Sequence, residues 1–304
     1  MPTSKRHEPG ESEPPETGEP PETEEEESKT SGLTKSEAKD AEERRPPSAL
    51  VVFEAIRREG EEELKRPTLS LASSGLAAGL SMGASFTCMA LLRSYLPDTP
   101  WRPLLENLGY TIGFLIVILG RQQLFTENTL TVILPLLDAP NKLRMLFKVG
   151  RLWGIVLVAN LVGAFLFALA VAHSSVFESD VKAAFLSIGL QSASPDWTTL
   201  FARGVFAGWL IALMVWVLPA ADQAKLFVIL IITYVVGMSG LSHIIAGSIE
   251  VMYLVAIGHI SFWTYLTGFA VPVFAGNCVG GVTLVALLNY GQVVAETQGE
   301  AKDG

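Results

Sequence analysis

Residues 114–137 read Phe114-Leu115-Ile116-Val117-Ile118-Leu119-Gly120-Arg121-Gln122-Gln123-Leu124-Phe125-Thr126-Glu127-Asn128-Thr129-Leu130-Thr131-Val132-Ile133-Leu134-Pro135-Leu136-Leu137. An apolar run that begins near Leu104 is cut by eight residues, two of them charged, and then resumes. The same thing happens between residues 226 and 257, where the run ending at Met238 meets Ser239-Gly240-Leu241-Ser242-His243 before apolar character returns. Each stretch is long enough to cross about 30 Å of hydrocarbon at roughly 1.5 Å per residue, yet each is interrupted near its middle. In a bilayer, backbone freed by such a break is tolerated only where it is buried in protein or lines a cavity. The two breaks therefore mark the inside of a membrane protein.

Four uninterrupted apolar stretches complete the set, at residues 71–92, 151–172, 199–221 and 267–290. Two of them carry a shared small-Asn-x-Val-Gly-small pattern: Ala159-Asn160-Leu161-Val162-Gly163-Ala164 and Gly276-Asn277-Cys278-Val279-Gly280-Gly281. Each follows a broken span, with 34 residues from Thr126 to Asn160 and 34 from His243 to Asn277. The chain is thus two three-span halves, and an odd number of spans per half gives them opposite topology. The expected fold is an all-α integral membrane protein of six transmembrane helices in two inverted three-helix repeats, the second and fifth spans broken. Such repeats meet near the midplane to build a permeation site. Gly75, Gly79 and Gly83 form a smooth stripe on the first span, expected to seat a helix of another protomer.

Charge is distributed to match. Residues 1–66 hold 19 of the 31 acids and 11 of the 22 Lys and Arg, so the net −9 belongs almost wholly to the N-terminal part. Residues 1–46 are rich in Glu, Pro, Ser and Lys and too poor in apolar groups to offset chain entropy, so they are expected to be a disordered acidic cytoplasmic tail. Within 47–66, Ser48 can cap an amphipathic helix in which Ala49, Val52, Phe53 and Ile56 share a face. That helix either lies at the interface and gates the mouth or packs on the protein's own loops. The transmembrane domain runs from 67 to 292, with a short cytoplasmic tail at 293–304. Counting Lys and Arg near the spans gives nine on one side, from Arg57 to Lys225, against Arg93, Arg102, Lys182 and Arg203 on the other. This places both termini in the cytoplasm. The hydrophilic start argues against a secretory signal peptide, and the two cysteines, Cys88 and Cys278, both lie in apolar runs. No cofactor or metal site is implied, and no Ser/His/Asp set, zinc motif or phosphate loop suggests an enzyme.

Leu124-Phe125-Thr126, Ser239-Gly240-x-x-His243-x-x-Ala246 and the segment from Pro272 to Gly281 resemble the signatures of the formate/nitrite transporter family over about 64–292. The resemblance implies an aquaporin-like fold, a homopentamer in a bacterial inner membrane, and a pore in each protomer for small anions, with or without a proton. It implies that Thr126 and His243 face each other at the pore centre, that Leu124 and Phe125 lie on a mobile loop beside it, and that Val236 is near a constriction. Ser242 stands where the family usually has Glu, Gly247 where it has Asn, and no counterpart of a Lys ahead of the fourth span is evident in Ser194-Pro195-Asp196-Trp197.

The residues carry their own reasons. An ionisable side chain at a mid-membrane break is costly to place, which makes His243 a functional candidate, as a charge or proton buffer, unless it only satisfies broken backbone. Arg121 and Glu127 flank the second-span break and either pair to fix the loop or, through Arg121, concentrate anions. Asn160 and Asn277 are expected to bond the open backbone of a neighbouring break. Glu250 is expected to reach another protomer or a helix end rather than the pore. The rival functions are an aquaporin-like pore for water or neutral solutes and a non-conducting sensor or scaffold; no Asn-Pro pair of the water-channel kind occurs.

Overall fold

A computed structural model describes residues 34–43 and 45–293. The chain divides into two units, 1–46 and 47–304. In the first, α1 (Lys35–Glu43) is helical although its composition offers nothing to bury. The cause is local: Thr34 Oγ1 accepts the Glu37 amide at 3.3 Å while the Glu37 carboxylate takes the Thr34 amide at 2.9 Å, a reciprocal capping box. The rest of the acidic tail, 1–33, and the end of the C-terminal tail, 294–304, lie outside the described residues.

The second unit opens with α2 (Ala49–Lys65), capped by Ser48, whose hydroxyl accepts the Val51 amide. Val52, Phe53, Ile56, Gly60 and Leu64 are buried on one face, and Gly60 sits where a Cβ would fall 2.0 Å from the Thr131 carbonyl. The amphipathic helix therefore packs on the protein itself, against the second half of the broken second span.

The first crossing is Thr68–Tyr95, made of α3 (Thr68–Ser81) and α4 (Gly83–Tyr95). The second is split into α5 (Arg102–Leu119) and the short helices α6 (Asn128–Thr131) and α7 (Ile133–Asp138). The third, α8 (Lys142–His173), starts nine residues before the apolar stretch because Asn141 caps it through the Arg144 amide. Next come α9 (Ser179–Ala193) and the fourth crossing, α10 (Trp197–Val217), capped by Asp196. The fifth is split into α11 (Lys225–Met238) and α12 (Ile244–Ala256). The sixth begins with α13 (Phe262–Tyr265), continues through α14 (Val271–Gly281) and runs to Val293. It widens to π-helix at Leu266–Ala270, just before Pro272, which has no amide to donate.

The halves repeat in detail. Each first half-helix of a broken span ends in the same six-to-one turn: Gln122 N donates to Val117 O at 2.9 Å, and Leu241 N to Val236 O at 3.1 Å. The residue at the left-handed position is Arg121 (φ 51°) in one and Gly240 (φ 58°) in the other. A non-glycine residue held there costs on the order of 1 kcal/mol, so the backbone turn at Arg121 is imposed by its surroundings.

Gly75, Gly79 and Gly83 do not serve an oligomer contact. A Cβ on Gly79 would lie 2.1 Å from the Asn160 carbonyl, and one on Gly83 would strike the Phe167 ring at 2.4 Å. The stripe is the seam between the first and third crossings of one protomer, and its counterpart is Gly208, 2.3 Å by the same measure from the Asn277 carbonyl. Replacing Gly79 with Leu is accordingly expected to unfold the protomer, by several times the ~1–3 kcal/mol usual for overpacking, because the obstacle is backbone. Native mass spectrometry and thermal unfolding check this: a folded but dissociated protomer is the result that contradicts it.

The sequence reading passed over α9, which is too short to span and sits between two crossings. Its buried Val181, Ala184, Phe185 and Ile188 fall at helical spacing, and Phe185 packs on Phe86 and Tyr253. That period was the available signal.

Candidate functional site

The breaks are held by two asparagines with matching bond sets. Asn160 Nδ2 donates to Gly75 O at 2.7 Å and Gln123 O at 2.9 Å, and its Oδ1 accepts Phe125 N at 2.9 Å. Asn277 Nδ2 donates to Gly204 O and Ser242 O, both at 2.9 Å, and its Oδ1 accepts Ile244 N at 2.8 Å. Each side chain thus ties the glycine seam of one crossing to two backbone groups of a break.

This bonding also resets the correspondence between the halves. Gln123 matches Ser242 and Phe125 matches Ile244, so the counterpart of His243 is Leu124, not Thr126. The equal 34-residue spacings pair the wrong atoms because the first break, 120–127, is three residues longer than the second, 239–243, before its helix resumes at Asn128. Thr126 lies in that extra length, and the asymmetry lets it reach across to the histidine.

Thr126 Oγ1 and His243 Nε2 are 2.7 Å apart, and both residues are buried. His243 is also the N-cap of α12: its Nδ1 accepts the amides of Ile245 and Ala246 at 3.3 and 3.2 Å. Nδ1 therefore carries no proton, and the neutral ring holds its hydrogen on Nε2, facing Thr126. An imidazolium in this pose has to give up both backbone contacts. The ring stands edge-on to Phe114, centroids 5.0 Å apart. Phe125 is fully enclosed between Trp153 and Phe274, and Leu124 is equally buried. Val236 is buried in the last turn of α11 and lines neither of the cavities described next.

Two cavities approach this contact. A first vestibule of about 330 Å³ reaches Ser242 and His243 and is lined by Arg93, Arg102, Glu106, Arg203 and Glu250. Phe269 forms part of its wall, covering Gly247, where a Cβ would meet the ring at 2.5 Å. A second vestibule of about 720 Å³ lies under α2 and is lined by Arg58, Glu63, Arg121, Gln123, Glu127 and Lys225. Cations assigned by sequence to opposite sides thus fall into opposite vestibules.

Two sequence expectations do not hold in the structure. Arg121 does not pair with Glu127: its side chain is 82% exposed and bonds Glu59 of α2 at 3.0 Å, the left-handed turn having aimed it outward. Glu127 Oε1 is buried without a hydrogen-bond partner among the described residues. Glu250 belongs to the first vestibule, where the Ser192 hydroxyl bonds it from α9. The second-span break is fixed instead by Glu63, whose two oxygens accept Gln123 Nε2 at 2.8 Å and Thr131 Oγ1 at 2.9 Å. Burial pushes the Glu63 carboxyl up, against the pull of those two donors. The sequence reading also missed the Arg93–Glu106 pair, bidentate at 2.6 and 3.0 Å and joined by Ser187 and Gln191 of α9. Its signal was two charges within long apolar surroundings, 13 residues apart on adjacent spans.

Inverted halves, paired breaks and vestibules on either side of a buried contact define a multi-pass helical membrane protein of the channel class. The sequence model described as "Formate/nitrite transporter" matches residues 50–291, and the chain belongs to the formate/nitrite transporter family. It is 41% identical over 252 residues to the inner membrane protein YfdC of Escherichia coli (strain K12), covering 83% of this chain and 81% of that one. Among solved structures it is similar to an "FNT family ion channel" (TM-score 0.65, 24% identity, 79% of this chain and 97% of that one). It is also similar to a "Pentameric formate channel with formate bound" (TM-score 0.60, 20% identity, 77% and 97%). The fold is the inverted six-span repeat read from the sequence.

Proposed function

We propose that each protomer carries small monovalent anions of the formate or nitrite kind across the bilayer, through a path whose narrowest point is the Thr126–His243 contact. The observation that carries this reading is that contact itself: a buried 2.7 Å hydrogen bond between the two breaks, with a vestibule on either side. An anion displacing Thr126 meets the Nε2 hydrogen directly. The amino end of α12, with its partial positive charge, lies immediately behind the ring. A fixed cation at the narrowest point would trap the ion, whereas a neutral donor screens its charge and lets it leave. His243 is the charge or proton buffer on this reading, and Thr126, Leu124, Phe125 and Ser242 shape the passage around it. Asn160, Asn277 and Glu63 support the loops, Arg121 anchors one break to α2, and Val236 packs behind the other.

The protein sits in a bacterial cytoplasmic membrane as a homopentamer with both termini in the cytoplasm. Exposed apolar rows such as Leu104, Leu108, Ile112, Ile116 and Leu119 on α5 are available to lipid or to neighbouring copies. Neither assembly nor transport is expected to need residues 1–46. Purified protein in liposomes is expected to pass formate or nitrite in preference to water, with the internal pH recording any accompanying proton. Removal of 1–46 is expected to leave that flux unchanged. Water flux without anion flux, or no flux of either, rejects the reading.

A further inference from the structure

Donors and acceptors in the first vestibule do not balance. Glu106 has both oxygens taken by Arg93, at 2.6 and 3.0 Å, and Glu250 holds the Ser192 hydroxyl. Two guanidinium groups remain under-used. Arg102 spends one Nη on Asp98 at 3.0 Å, and its buried Nε lies 3.9 Å from the Glu106 carboxylate, an ion pair with no hydrogen bond among the described residues. Arg203 is half-buried, lines the cavity, and has no hydrogen bond or ion pair with any described residue.

Arg203 is also placed with care. It precedes Gly204, whose carbonyl is bonded by Asn277 at 2.9 Å, so its backbone is fixed by the same clasp that holds the fifth-span break. Its Nη1 comes within 4.0 Å of the Cβ position of Gly240, the left-handed turn three residues ahead of His243. A cation held beside the break with its hydrogen-bonding fork unsatisfied lacks an acceptor, and the cavity in front of it is open to bring one.

We propose that Arg203 is the docking residue for the transported ion: it receives a small planar oxyanion, a monocarboxylate or nitrite, through two parallel N–H···O bonds in the first vestibule before the ion reaches His243. The proposal rests on the anion-transport reading for what the ion does next, but not for its binding. A guanidinium fork matches two oxygens on one centre, which a lysine ammonium does not. Glu106 does not repel the ion strongly, because Arg93 already neutralises it.

The test is equilibrium binding of carbon-13 formate, and separately of nitrite, to the purified detergent-solubilised protein, read by saturation-transfer NMR or competition. The variants are Arg203→Gln and Arg203→Lys, each with its thermal unfolding recorded. Wild type is expected to bind, Arg203→Gln to bind roughly ten-fold more weakly, the scale of one lost charge-assisted pair, and Arg203→Lys to fall between. No binding to wild type, equal binding to wild type and Arg203→Gln, or full binding to Arg203→Lys overturns the docking role. Should Arg203→Gln fail to fold, the Lys variant against wild type decides alone. Flux in liposomes of the same preparations separates the two ideas: the binding pattern without wild-type flux keeps the docking site and rejects transport, and flux indifferent to Arg203 with no binding difference does the reverse.

Discussion

Asn277→Leu is expected not to yield a stable folded protein, and Asn160→Leu to behave in the same way. Each asparagine makes three buried hydrogen bonds to main-chain groups that have no water to turn to: Gly204 O, Ser242 O and Ile244 N in one case, Gly75 O, Gln123 O and Phe125 N in the other. Leaving a buried backbone group unsatisfied costs about 1–3 kcal/mol, so three together cost on the order of 3–9 kcal/mol before the loops rearrange. That is comparable with the whole stability of many domains. Asn277→Asp retains the acceptor for Ile244 N but loses both donated bonds and brings a charge into the seam, so it is expected to be little better. Thermal unfolding in detergent checks both positions, and a midpoint within two or three degrees of wild type for either Leu variant contradicts the account.

The sequence exposed a good deal of this arrangement because membranes simplify the rules. Broken apolar runs, a paired Asn-x-Val-Gly pattern and a charge count lead to six spans and inverted halves without reference to any contact. What stayed hidden follows from two physical causes. Spacing along the chain counts residues, whereas correspondence across the two-fold depends on where each helix resumes; Thr126 and His243 have equal spacings to their asparagines yet occupy non-equivalent places. Side-chain direction is the second cause. Arg121 and Glu127 are six residues apart with opposite charges, and only the left-handed turn at Arg121 shows that one points to α2 and the other inward. The glycine stripe illustrates the same limit: small residues announce a close approach, but whether the partner helix belongs to the same chain is decided by the packing, here against the Asn160 main chain.

His243→Asn is expected to lower anion flux roughly ten-fold or more while leaving the protein folded. Asparagine is a good N-cap, so its Oδ1 can take over the amide that Nδ1 holds at Ala246 and keep α12 capped. It is too short to present a donor where Nε2 stood, and the hydrogen bond to Thr126 goes with it. An anion at the narrowest point then loses a donor in a dry setting, a loss on the order of 1.5–3 kcal/mol. The pH dependence of flux is expected to flatten as well, since the proton-exchanging ring is gone, whereas Thr126→Val lowers flux and leaves that dependence in place. The two residues share one contact, so their effects are expected to be non-additive: once His243 is Asn, removing the Thr126 hydroxyl has less left to remove. Radioisotope or pH-dye flux in liposomes over a pH series gives all four corners of the cycle. A double variant whose loss in log flux equals the sum of the single losses, or a His243→Asn protein with the wild-type pH profile, reduces the histidine to a cap for α12 and leaves charge handling to Arg203 and its vestibule.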